Sequence, residues 1–149
     1  MKNTIHFTLT LVVCFMMLSS VGFAQEDEGH IYVVSTFKTV IPDGGTSEDR
    51  DNLLMELTEA QKSNKKVLSS ITLRHRWGND GRDWVIITEY KNMADFVEAG
   101  KINTKLNKKK WKDDEGVTAF FQKLGKYFEG GHSDEIYIEL PKFTQEKRK

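Results

Sequence analysis

The apolar positions between residues 31 and 140 follow two periods in alternation, one of two residues and one near 3.6. The first stretch, 31–40 (IYVVSTFKTV), is rich in β-branched and aromatic residues and predicts a strand, stopped by Pro42-Asp43-Gly44-Gly45. Thr46 and Asp49 then form a T-x-x-D helix start. Leu53, Leu54, Leu57, Ala60, Val67 and Leu68 recur at helical spacing, which predicts an amphipathic helix over 47–68. Strict alternation returns in 71–77: Ile71, Leu73, His75 and Trp77 share one face, and Thr72, Arg74 and Arg76 the other. Gly78-Asn79-Asp80-Gly81 predicts a hairpin into a third strand over 83–90. Asn92 caps a helix over 93–110, with Asp95 placed to reach back to it. A second helical piece over 114–128 carries Val117, Phe120, Phe121, Leu124, Tyr127 and Phe128, and Gly130-Gly131 marks its end. A last strand, 135–140, stops at Pro141.

The order strand, helix, strand, strand, helix, strand is the split βαβ arrangement: an α+β, ferredoxin-like βαββαβ domain. It predicts an antiparallel sheet ordered 4-1-3-2 with helices on one face. A sheet wetted on its other face should alternate apolar with polar residues. These strands carry large apolar groups on both parities, such as Val85 and Ile87 against Trp84 and Ile86. The second face is therefore expected to be buried too, and a second copy of the chain is the expected cover, giving a homodimer.

The N-terminus changes where this domain is expected to work. Lys2 precedes the apolar run 9–18, and Gly22 and Ala24 stand at the −3 and −1 positions of a signal-peptidase site. The run is too short for the roughly 20 residues that span a bilayer as a helix. The expected organisation is a cleaved signal over 1–24, a flexible leader over 25–29, one ferredoxin-like domain over 30–141 and a disordered basic tail over 142–149. The protein is then exported, periplasmic or extracellular, with no stable membrane insertion after cleavage. Removing 1–24 removes Cys14, the only cysteine, so disulfides and thiolate chemistry are excluded from the mature chain. It also removes one of 22 Lys and Arg and none of 22 Asp and Glu, leaving a net charge of −1 (21 against 22). That balance argues against a nucleic-acid partner.

The strand Trp84-Val85-Ile86-Ile87-Thr88-Glu89-Tyr90 leading into Asn92-Met93-Ala94-Asp95-Phe96, the interrupted second helix and the element order together resemble the dimeric α/β barrel superfamily. That superfamily includes antibiotic-biosynthesis-monooxygenase-like and stress-responsive barrel proteins. The resemblance covers about residues 30–140. It implies two sheets facing each other and a pocket between each sheet and its helices. It does not imply one activity, because members include enzymes and non-enzymes.

Candidate chemistry is sparse. His75 follows Ile71 and Leu73 on an apolar face and is a candidate acid/base or ligand-binding group. His75, Trp84 and His132 are expected to gather towards one end of the sheet. Trp77, Trp84, Tyr90 and Tyr32 are candidates to stack on a flat ligand. His132 and Asp134 make a two-residue metal candidate that matches no zinc signature, so no metal site is assigned. The lysines at 101, 105, 108, 109, 110 and 112 are read as a solvated helix face. No phosphate loop, nucleophile elbow or dinucleotide fingerprint is present, no catalytic residue is assigned and no cofactor is expected. The expected function is binding of a small apolar or aromatic molecule. The alternatives are a cofactor-independent monooxygenase-like enzyme, with His75 or His132 as base and Trp77 or Trp84 holding the substrate, and a structural or partner-binding dimer without a ligand.

Overall fold

The computed structural model describes residues 29–78 and 80–144. The expected signal, all but the last residue of the leader and the end of the tail lie outside them. The elements run β1 (Ile31–Thr39), α1 (Ser47–Gln61), β2 (Ser69–Arg74), β3 (Asp83–Tyr90), α2 (Met93–Trp111), α3 (Asp114–Gly125) and β4 (Phe128–Ile138), then a short 3₁₀ turn at Pro141–Phe143. The four strands form one antiparallel sheet in the order β2-β3-β1-β4. The α+β, ferredoxin-like class and the strand order agree with the expectation from sequence.

Local chemistry sets the element ends. At α1 the Asp49 N–H donates to Thr46 Oγ1 at 3.0 Å and the Thr46 N–H donates to Asp49 Oδ2 at 3.0 Å, a closed capping box. The helix stops at Gln61, short of the expected Leu68. Asn64 is the reason. Its side-chain amide donates to the Ala99 carbonyl (3.0 Å) and Asn103 Oδ1 (2.7 Å), and its Oδ1 accepts from the Lys66 N–H (3.0 Å). These bonds turn the chain against α2, which competes with helix continuation. Val67 then joins the core, and the Leu68 N–H donates to the Glu89 carbonyl, starting the β2–β3 ladder.

α2 is capped by Asn92, whose Oδ1 accepts from the Asp95 N–H at 2.9 Å. Asp95 does not reach back as expected; its carboxylate takes Lys66 Nζ at 2.7 Å. Between α2 and α3, Lys112 sits at φ 77°, ψ −46°, a γ-turn-like conformation that breaks the helix in two. Gly116 lets α3 begin there, because a Cβ on it would lie 2.0 Å from the Trp111 carbonyl oxygen.

The largest departure from expectation is at β4, which begins at Phe128 rather than residue 135. Gly130-Gly131 does not end a helix. It lies within β4 where the β1–β4 register shifts between Phe37 and Thr39, with Gly131 at φ 94°. Tyr127 is freed from the helix and is buried with Leu53, Phe120 and Leu124. Trp111 stacks on Phe120 at 3.9 Å between ring centroids. A second cluster holds Ile31, Tyr90 and Ala99, with Phe96 edge-on to Tyr90 at 5.4 Å.

Register assigns the two faces. Ile31, Val33, Ser35 and Phe37 lie opposite Tyr90, Thr88, Ile86 and Trp84, and this face meets the helices. The other face carries Val34, Val85, Ile87, Ile71, Leu73 and Tyr137. No described helix covers it, and Leu73 and Tyr137 are about half exposed (48% and 50%).

Candidate functional site

α1 crosses over β2 and β3 without closing down on them. The gap is a groove of about 480 Å³. Its floor is the even-numbered parity of β3, Trp84, Ile86, Thr88 and Tyr90, beside Ser70 and Thr72 of β2. Leu54, Met55, Leu57 and Thr58 of α1 form the roof. Gln61, Val67 and Asn103 close the end near Tyr90, and Asp51 lies at the α1 start.

The floor is a row of apolar and hydroxyl groups. Ser70 Oγ and Thr88 Oγ1 are 3.3 Å apart. Burial pushes the Tyr90 phenol above its usual range, so at neutral pH Tyr90 keeps its proton and can donate it. Asn103 Oδ1 is occupied by Asn64, so what Asn103 can offer a ligand is its amide N–H. At the other end Trp84 is held from behind. The Arg50 guanidinium lies 4.4 Å from the Trp84 ring centroid, and its Nε and Nη2 donate to Asp51 Oδ1 at 2.9 and 2.8 Å. The Arg50 side chain is only 8% exposed. A desolvated cation over an indole face is worth about 2 kcal/mol, enough to fix the rotamer of the groove's largest aromatic wall.

Two of the six sequence candidates meet here: Trp84 and Tyr90 both line the groove. The other four lie elsewhere, Tyr32 on the uncovered face opposite Glu89. His75 follows β2 on the parity of Ile71 and Leu73, the face opposite Trp84, and its Nε2 would meet a Cβ on Gly78 at 2.8 Å. Trp77 is in the hairpin turn and 94% exposed. His132 is inside β4, not before it. Its ring stacks on Phe37 at 4.8 Å, and Nε2 lies 3.0 Å from Asp134 Oδ2. His75, Trp84 and His132 thus stand towards the same end of the sheet, as expected, but His75 and Trp84 are on opposite faces. His30 Nδ1 lies 2.6 Å from Glu89 Oε1 on the uncovered face.

Among the described residues no histidine lines the groove. Its titratable lining groups are Asp51, Lys62 and Tyr90, and Asp51 is engaged by Arg50. Among the described residues no three His, Cys, Asp or Glu side chains converge as metal ligands. The arrangement can enclose an apolar body, stack an aromatic ring and hydrogen-bond a polar edge.

Arg50, Asn103 and the hydroxyl row were not foreseen. The hydroxyl row had a signal, the shared parity of Thr88 with Trp84 and Tyr90. Arg50 and Asn103 had none, since each works through a tertiary contact.

The same architecture is found in solved proteins. A nipsnap family protein of unknown function from Agrobacterium tumefaciens is 15% identical, over 75% of this chain and 89% of its own, with a TM-score of 0.53. A proposed antibiotic biosynthesis monooxygenase from Caulobacter crescentus is 16% identical over 76% and 92%, at 0.51. One from Nitrosomonas europaea is 15% identical over 76% and 93%, also at 0.51. The chain shares with these proteins an α+β, ferredoxin-like fold. At these identities the likeness is one of fold. No family model and no curated protein matches the chain.

Proposed function

We propose that the mature chain is an exported homodimer that binds a small apolar or aromatic molecule in the groove between α1 and the sheet. The groove carries this reading: about 480 Å³, with an indole wall and a phenol among aliphatic side chains. Ligand sites are mostly apolar with a few placed polar groups, and Tyr90, Asn103 and the Ser70–Thr88 pair are such groups. The uncovered face of the sheet, with Val34, Ile71, Leu73, Val85 and Ile87 together, supports the dimer. Residues 1–24 support export, as argued from their pattern.

Binding without turnover is favoured over catalysis because no histidine reaches the groove and its one lining carboxylate, Asp51, is paired with Arg50. The monooxygenase-like alternative is favoured by what two of the structural neighbours are described as. It would require Asp51 or Tyr90 to handle the proton.

The test is native mass spectrometry of residues 25–149 purified from an export-competent host. Extra mass on a dimer, lost in Trp84→Ala, is the expected result. A ligand-free dimer that shows no tryptophan-fluorescence change with any apolar or aromatic probe would sink the binding reading. Oxygen consumption with a bound phenol would favour the enzyme.

A further inference from the structure

The groove between α1 and the sheet is long, narrow and unlike at its two ends. Its floor runs along β3 from Trp84 to Tyr90, about 20 Å of extended strand. A volume of about 480 Å³ spread over that length has a mean section of only about 24 Å². The Tyr90 end is lined by the neutral groups Gln61, Val67 and Asn103. The lysine lining the groove, Lys62, has its charge answered by Glu59 on the same helix.

The Trp84 end carries a charge that nothing answers. Register places Arg74 directly opposite Trp84, on the parity of Ser70 and Thr72, which both line the groove. Opposed side chains on neighbouring strands have Cβ atoms about 5 Å apart, a gap that the stem of an arginine spans. Trp84 therefore has two arginines beside it, in different states. Arg50, over its ring, is buried and donates twice to Asp51 Oδ1, which matches the one carboxylate lining the groove with a cation. Arg74 is exposed and has no hydrogen bond or ion pair among the described residues. Arg76, two residues on, shares its parity and is likewise exposed and unpaired. The other charged groups on this end of the sheet are tied together: Lys38 to Asp80 and Asp83, and Arg82 to Asp80 and Glu129.

We propose that the ligand of this groove is an elongated carboxylic acid, with its carboxylate on Arg74 and its apolar body running past Trp84 and Ile86 towards Tyr90. This rests on the groove being the binding site, as proposed above, and adds the class of molecule and the direction in which it lies. A guanidinium donates two parallel N–H bonds to the two oxygens of a carboxylate, a fit that a point charge lacks. The narrow section suits one chain or one row of rings. The neutral Tyr90 end, with a phenol that keeps its proton, takes the uncharged end of the molecule.

Two probes of equal length and different head test it: decanoate and decan-1-ol, titrated into residues 25–149 at neutral pH and followed by tryptophan fluorescence. In the wild type at low salt, decanoate should bind at least about tenfold more tightly than the alcohol. That preference should shrink as salt rises to about 500 mM; neither measurement needs a variant to fold. Arg74→Gln should bring the two affinities together, and Arg74→Lys should recover part of the difference. Equal wild-type affinities, or a preference that survives Arg74→Gln, would overturn the carboxylate on Arg74. The groove itself would still stand in either case, provided that decan-1-ol binds and that Trp84→Ala weakens it. Binding of neither probe would overturn both readings.

Discussion

Single residues do two kinds of work in this chain, and they are separable by experiment. Asn64 is only 4% exposed and its amide makes three hydrogen bonds that end α1 and tie it to α2. Asn64→Ala leaves the Ala99 carbonyl and the Lys66 N–H without it, and should cost about 2–3 kcal/mol in urea unfolding. Trp84 belongs to the groove instead. Trp84→Ala should lose ligand affinity by at least about tenfold, since an aromatic pair or stack is worth about 1 kcal/mol beyond its buried area. Arg50→Ala separates the two roles. It removes the cation behind Trp84 without removing a lining side chain. It should change the fluorescence of the Trp84 indole and weaken binding, and Arg50→Lys should restore only part of either, because an ammonium does not stack as a guanidinium does. Of these residues, Trp84 and Tyr90 were legible from sequence as aromatics on one parity of a strand. Arg50 and Asn64 were not, because their partners lie 34 and 35 or more residues away and no local pattern announces them.

At the scale of elements, local signals identified each piece and misjudged several ends, with β2 running Ser69–Arg74 rather than 71–77 and α3 stopping at Gly125 rather than 128. The alternation of β3 and the Thr46–Asp49 box are complete within a few residues, and both appear as expected. The α1 stop depends on Asn64 reaching α2, and the β4 start depends on Thr39 being available to pair with Phe128. Both are tertiary events. The same holds for His75. Its face follows from the β2–β3 register, and a one-residue difference in that register exchanges the faces. The turn between α2 and α3 offers a direct test of strain. Lys112 at φ 77° is in a conformation that glycine adopts at less cost. Lys112→Gly should therefore raise stability, by about 1 kcal/mol, visible as a higher thermal midpoint. No change or a lower midpoint would mean the Lys112 side chain contributes more than the backbone loses.

At the scale of the whole molecule, the uncovered face carries, besides Thr36, Ser133 and Glu135, a polar cluster around Glu89. Glu89 stands on that face with its Oε2 taking the Ser69 hydroxyl at 2.5 Å and its Oε1 facing His30 at 2.6 Å. The Ser69 bond most of all, with His30 and Tyr32 adding to it against a desolvation cost, holds the Glu89 carboxyl below its ordinary value of 4.5. A carboxyl whose folded value is depressed contributes stability that is present above 4.5 and is lost as pH falls through the folded value. Unfolding stability should thus fall on acidification below about pH 4.5, and Glu89→Gln should flatten part of that slope while leaving stability at pH 7 lower than wild type. Were the variant to keep the full slope, other carboxylates would be responsible. In a dimer that buries this face, the same four groups would be sealed from water, and their bonds would strengthen as solvent left. The apparent thermal midpoint should then rise with protein concentration, as it does whenever only the folded state associates. Glu89→Gln should also alter that concentration dependence, whereas a substitution confined to the groove, such as Trp84→Ala, should leave it as in wild type. If both variants behaved alike, the groove and the uncovered face would be one energetic unit, and the dimer could not be assigned to the face alone.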